Sequence, residues 1–255
     1  MPGHGGAGPH QLKTHLPDVK TGYAGAMEFK YAFSEWRLRF GAVDVKIRSA
    51  MGFDGKGASI RNPATRIKTL PIGSSVWPSA LALAEVLART PAFVEGKRVL
   101  DLGCGAGLCS VVAARLGASV TATDVHPDMG ELLAFNARLN AVQVAYTTYD
   151  WESAQTPGTF DVVMASDVLY TPQLCDIILD ALNRTLVPGG QAVISDPGRE
   201  FLGRFEEQAQ ARGFTCTREM HTRGENMDPA VPTVLRLHPG ATGPFHIFRL
   251  KRSEE

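Results

Sequence analysis

The chain is 255 residues long, 44% hydrophobic and 20% charged, an ordinary globular composition with room for one domain of about 200 residues. Twenty-six basic side chains balance twenty-six acidic ones, so no overall field exists to hold a polyanion, which argues against nucleic acid as the main partner. There is no run of about 18 apolar residues and no basic-then-apolar leader, and Cys104, Cys109, Cys175 and Cys216 form neither a C-x-x-C pair nor a metal-ligand spacing. The expectation is a cytoplasmic protein in a reducing compartment, with no membrane span and no metal.

Residues 1–26 are rich in Gly, His, Pro and Lys without apolar periodicity and read as a flexible tail. The irregular spacing of His4, His10 and His15 argues against a metal site there. From Met27 aromatic and β-branched residues alternate loosely, so 27–72 reads as an N-terminal strand or hairpin extension, with Phe53-Asp54-Gly55-Lys56-Gly57 as a turn. The main domain, 73–255, starts with Gly73-Ser74-Ser75-Val76-Trp77-Pro78. This leads into SALALAEVLAR, an amphipathic helix with a proline near its first turn and a serine before it. Trp77 follows no core periodicity, and composition alone makes it a packing residue at the helix start.

Arg98 to Leu102 is a short apolar strand carrying Asp101. Gly103, Gly105 and Gly107 then open a helix in which Leu108, Val111, Val112 and Leu116 fall at helical spacing. Ser119 to Asp124 alternates and ends in a second acid. Asp101 and Asp124 therefore stand at carboxyl ends of parallel strands, where open α/β sheets bind ligands. A dinucleotide fingerprint requires G-x-G-x-x-G, but position 108 is Leu, so the run is G-x-G-x-G instead.

His126-Pro127-Asp128 is a turn, with His126 a polar residue rather than a catalyst. A helix follows with Leu132, Leu133, Phe135 and Leu139 on one face, then the strand VQVAYTTY and the pair Asp150-Trp151. Phe160 to Ala165 is a buried strand running into Ser166-Asp167-Val168-Leu169-Tyr170. A helix from about Gln173 to Leu186 stops at Pro188-Gly189-Gly190, and AVISD restarts the sheet. A helix from Glu200 to Arg212, strands from Phe214 to Met220 and from Phe245 to Lys251, and a Pro- and Gly-rich loop between them complete the chain.

VLDLGCGAG followed by ATD resembles motif I of the class I S-adenosylmethionine methyltransferases. With VWPSA, YDW and DVLY, the likeness extends over roughly Gly73 to Lys251 and is to the seven-β-strand protein lysine methyltransferase group. SDPGR, Ser195 to Arg199, resembles the branch that methylates the electron-transfer-flavoprotein β-subunit, whereas VWP and ASDV also resemble an arginine methyltransferase branch. The resemblance implies a Rossmann-like seven-stranded α/β sheet with helices on both faces, S-adenosylmethionine as cofactor and a lysine-bearing protein as substrate. It further implies cofactor contacts from Trp77, Asp101, Gly103, Gly105, Asp124, Asp150, Trp151 and Ser166, with Trp77 and Asp150-Trp151 bordering the adenine and Asp124 on the ribose hydroxyls. Asp167 and Tyr170 take the catalytic positions of the D-x-x-Y/F signature.

The chemistry of the residues agrees: a carboxylate accepts from ribose hydroxyls, and a cofactor without phosphates needs no Lys in its loop. Asp167 has a rival reading as the cap of the helix that follows its strand. Two other functions stay open: a small-molecule methyltransferase whose N-terminal segment and loop 222–243 close over the substrate, and a silent binding protein that keeps the fold.

Overall fold

The computed structural model describes residues 33–50, 71–222 and 243–254. The expected tail (1–26), the turn at 53–57 and most of the 222–243 loop lie outside the described residues. The N-terminal extension contains an antiparallel hairpin of β1 (Phe33–Phe40) and β2 (Val43–Ala50), with Phe40 opposite Val43. Its two-residue loop is Gly41-Ala42, and Gly41 takes φ +58°. The hairpin therefore closes at this glycine, upstream of the sequence-predicted turn. Strand alternation buries Val43, Val45, Ile47 and Ser49 on one face and turns Asp44 outward.

The main sheet has seven strands: β3 (Arg98–Leu102), β4 (Ser119–Asp124), β5 (Ala145–Thr148), β6 (Phe160–Ser166), β7 (Leu186–Asp196), β8 (Phe214–His221) and β9 (Phe245–Arg252). Their spatial order is β5-β4-β3-β6-β7-β9-β8; the first five are parallel, and β9 runs antiparallel to both β7 and β8. The helices are α1 (Pro78–Arg89), α2 (Leu108–Arg115), α3 (Asp128–Leu139), α4 (Pro172–Thr185) and α5 (Leu202–Ala211). This is the Rossmann-like seven-stranded architecture that the sequence implies. No helix among the described residues is long and apolar enough to cross a membrane.

Strand parity sorts the two faces. Leu100, Leu102, Val163, Ala165, Ala192 and Ile194 pack with Cys175, Ile178 and Leu182 of α4 and Phe205 of α5. The alternate residues point the other way, where Ser110 of α2 donates to Asp101 and Ser195 donates to the Ser79 carbonyl of α1. Burial of these side chains on both sides at about 25 cal/mol per Å² is what holds the layers.

The sequence expectation differs from the structure at the end of α4. The helix stops at Thr185, and Leu186, already in β7, pairs with Phe160 of β6. Pro188, Gly189 and Gly190 then form an irregularity before Gln191 pairs with Val162. A proline and a glycine at φ +71° are tolerated in a strand at such a bulge.

The order of strands reverses between β3 and β6, so the crevice lies beyond their carboxyl ends. The segments after β3, β4 and β6 all open there.

Candidate active site

The turn after β3 is hung on β4: the N–H groups of Gly103 and Cys104 both donate to the Thr123 carbonyl, at 2.9 and 2.8 Å. Gly103 and Gly105 have φ of +78° and +51°, a region that costs a side chain. Space forbids one as well. A Cβ on Gly105 would lie 2.6 Å from the Gly73 carbonyl oxygen, and one on Gly103 would lie 2.8 Å from Cζ2 of Trp151. The loop is thus a bare backbone cradle between two walls, the segment around Gly73 and the Trp151 indole.

Asp124, at the end of β4, accepts from the Gly105 N–H on Oδ2 (3.1 Å) and from the His126 N–H on Oδ1 (3.0 Å). Burial pushes its carboxyl above the usual range, against the pull of these two donors. An ionised carboxylate has about four acceptor sites, more than these backbone N–H groups fill, so capacity remains for hydroxyls of a ligand. Asp101 sits differently. It is 1% exposed, its Oδ2 accepts from Ser110 Oγ at 2.5 Å, and it does not line the cleft. Burial pushes it up to about 7 in spite of the Ser110 bond.

Trp77 is the N-cap residue of α1 and lines the cleft, its indole N–H donating to the Ile72 carbonyl at 3.2 Å. Trp151 lines the opposite wall; its Nε1 is buried with no hydrogen-bond partner among the described residues. Asp150 is exposed beside it, with Oδ1 accepting from the Glu152 N–H at 3.0 Å, and is outside the cleft lining. Ser166, the last residue of β6, lines the cleft. His126 is a turn residue, its Nδ1 accepting from the Asp128 N–H at 3.3 Å.

Asp167 is one of two non-glycine residues among those described with positive φ, +60°. Its N–H donates to the Ser195 carbonyl at 2.9 Å, which fixes this unusual backbone against β7. Its carboxylate is held at both oxygens: Oδ1 by the Arg199 guanidinium and Oδ2 by Ser79 Oγ at 3.3 Å. The helix-cap reading fails, because α4 begins at Pro172 behind Thr171 and has no side-chain cap. Aspartate takes this left-handed region more readily than most side chains, and three separate bonds fix it there at the lip of the crevice. Tyr170 lies on the same lip, 57% exposed.

Arg199 is the residue that the sequence reading did not assign. Its Nη1 reaches Asp196, which is fully buried at the end of β7, and its Nη2 reaches Asp167. The N–H groups of Gly198 and Arg199 both donate to Asp196 Oδ1, at 2.8 and 3.1 Å, so the loop after β7 folds around that carboxylate and presents the guanidinium. Burial works against the charge on Arg199, but the two carboxylates together hold it above its usual value. The available signal was SDPGR itself, an acid at a strand end with a cation three residues on.

These residues enclose a cleft of about 290 Å³, lined in addition by Ile72, Cys104 and Val125. Its charged lining is Asp124 and Asp167 against Arg199, which leaves one net negative charge. An open glycine cradle, a carboxylate able to take hydroxyls, two indoles and no lysine among the described lining residues together suit a cationic, phosphate-free nucleoside such as S-adenosylmethionine.

Comparison with known proteins agrees. Residues 79–230 match the family described as Methyltransferase domain. The electron transfer flavoprotein beta subunit lysine methyltransferase of Mus musculus is 32% identical over 173 residues, 66% of this chain and 68% of that protein. Its Xenopus laevis counterpart is 35% identical over 51% of this chain, and the match spans about half (53%) of that relative's length. A mitochondrial ubiquinone biosynthesis O-methyltransferase of Schizosaccharomyces pombe is 38% identical over 48% of this chain and 46% of its own length. Among solved structures, the 16S rRNA N2 G1207 methyltransferase of T. thermophilus superposes with a TM-score of 0.57 at 16% identity, covering 86% of this chain and 50% of that one.

Proposed function

The chain belongs to the class I S-adenosylmethionine-dependent methyltransferases, and from that premise we propose that it methylates a lysine side chain of a protein substrate. The single observation that carries the lysine reading is Asp167: a carboxylate fixed at the cleft lip, beside Tyr170, where an amine would enter.

The residues that would hold the cofactor are the backbone of Gly103 and Gly105, Asp124 for the ribose hydroxyls, and Trp77 and Trp151 flanking the adenine. When bound, the cofactor supplies a sulfonium-activated methyl group. The task left to the protein is to orient a neutral amine. At pH 7 a lysine of pKa about 10.4 costs roughly 4.6 kcal/mol to deprotonate, 3.4 units at 1.36 each. A lone carboxylate next to that amine would raise the cost by stabilising the ammonium. Arg199 removes this difficulty: it shares the charge of Asp167, so the carboxylate can accept a hydrogen bond and steer the amine without strongly favouring its protonated form. The Tyr170 ring walls the pocket and favours the cation that forms as the methyl is transferred. Ser79, buried behind the cleft, donates to Asp167 Oδ2, and Ser166 lines the cleft next to it in sequence.

The compartment we read as cytoplasmic, which the four cysteines, all free thiols, support. The test of the function is incubation of purified protein with methyl-labelled cofactor and cell lysate. Label in a discrete protein band supports the reading. Label confined to the small-molecule fraction would favour the small-molecule alternative, for which the ubiquinone-pathway relative is the motive.

A further inference from the structure

The N-terminal hairpin reads from sequence as an extension ahead of the main domain, yet strand β2 is tied to both walls of the cofactor cleft through the buried side chains of Asn136 and Ser49. On one side, Asn136 of α3 is fully buried and clips the open edge of β2. Its Oδ1 accepts from the Arg48 N–H (2.7 Å), and its Nδ2 donates both to the Arg48 carbonyl (3.0 Å) and to the Ala106 carbonyl (2.7 Å) in the glycine loop. On the other side, Ser49 of β2, 3% exposed, accepts from the Val76 N–H at 2.9 Å and donates to the Ser74 carbonyl at 3.4 Å. Residues 73–77 are the wall that presses Gly73 onto Gly105 and carries Trp77. Two consecutive residues of one strand thus tie the glycine loop and its opposing wall to a common frame.

We infer that Ser49 and Asn136 are positioning residues of the cofactor site, and that the hairpin sets the width of the S-adenosylmethionine cleft. The inference rests on the cofactor assignment made above. Physically, Asn136, Ser49, Ser74, Val76 and Ala106 are all buried, so the loss of the Asn136 or Ser49 side chain leaves donors or acceptors there without water to replace it. The wall and the loop would then relax apart, and the ligand would have to draw them together at the expense of its own affinity. Asn140, the C-cap residue of α3, is a built-in control. Its amide clips the Lys46 N–H and carbonyl in the same fashion, at 2.7 and 2.6 Å, but its third bond goes to the Asn136 carbonyl and not to the glycine loop.

The experiment is calorimetric titration of S-adenosylhomocysteine into the full chain and into Asn136→Ala, Ser49→Ala and Asn140→Ala, with the melting temperature of each ligand-free protein measured alongside. The expected result is about tenfold weaker binding for Asn136→Ala and about threefold for Ser49→Ala. Asn140→Ala should bind within twofold of the parent while still melting earlier. Ser49→Ala keeps the test decisive should Asn136→Ala fail to fold. Lower melting temperatures with unchanged affinity in both positioning variants would make the brace merely structural and overturn the inference. Equal weakening by Asn140→Ala would overturn the route through Ala106. A parent protein that binds no S-adenosylhomocysteine would reject the cofactor assignment itself, and the inference with it.

Discussion

Replacing Asp167 by Asn isolates the charge of the candidate catalytic carboxylate. Asn has nearly the same volume and, like Asp, tolerates positive φ, so the +60° backbone and its N–H bond to Ser195 should persist. Arg199 keeps Asp196 as a partner, so no orphan cation is created and the loss of melting temperature should be small. What disappears is a charged acceptor facing Arg199, Ser79 and the incoming amine. A hydrogen bond to a charged group is worth about 1.5–3 kcal/mol. If it acts where charge develops, a loss of about 2.7 kcal/mol corresponds to a hundredfold lower rate at about 1.36 kcal/mol per decade. The assay is initial rate of label transfer into the acceptor protein at saturating cofactor, with S-adenosylhomocysteine affinity expected within about threefold of the parent. Transfer at the parental rate would refute the role given to Asp167.

Four other outcomes are expected. Asp124→Ala removes an acceptor for two ribose hydroxyls and should weaken S-adenosylhomocysteine about tenfold or more by calorimetry; unchanged affinity counts against it as the ribose residue. Gly105→Ala places a Cβ 2.6 Å from the Gly73 oxygen at positive φ, so it should lower the melting temperature and abolish detectable cofactor binding. Arg199→Met leaves Asp167 unshared beside the amine, so the limb of the pH–rate profile set by amine deprotonation should move up by about one unit; a fixed limb would mean the guanidinium does not balance Asp167. Asp101, pushed up to about 7 by burial, holds a proton in the folded state that the unfolded chain releases near its ordinary value, so its contribution to stability falls as pH rises from about 4 to 7. Asp101→Asn should therefore gain melting temperature relative to the parent between pH 5 and pH 8, and a pH-independent difference would refute the burial argument.

The parts of the site that were legible in the sequence are those encoded locally. The strand, glycine turn, helix and second strand from Arg98 to Asp124 occupy consecutive residues, so one spacing argument reaches both the loop and Asp124. DVLY likewise follows its strand directly. The pairing of Asp167 with Arg199 was not legible because it depends on register. Ser166 lies opposite Ser195, and only that alignment brings the residues after β6 and β7 together. Asn136 and Arg48 are 88 positions apart, and an asparagine in a helical pattern gives no hint that it completes the edge of a distant strand. The hairpin turn was missed because Gly41-Ala42 is a weak turn signal beside Asp54-Gly55. Asp101 and Asp150 carry the residue types that the family resemblance calls for, but one is bonded to Ser110 behind the loop and the other faces outward beside Trp151.

The most direct test of the central claim is the chemical identity of the methylated group. Protein labelled by the purified enzyme with methyl-labelled S-adenosylmethionine should be acid-hydrolysed and its amino acids separated. The label should run as ε-N-methyllysine when the parent enzyme is used and fall about a hundredfold with Asp167→Asn. Label in methylarginine, or in no amino acid at all, would contradict the account.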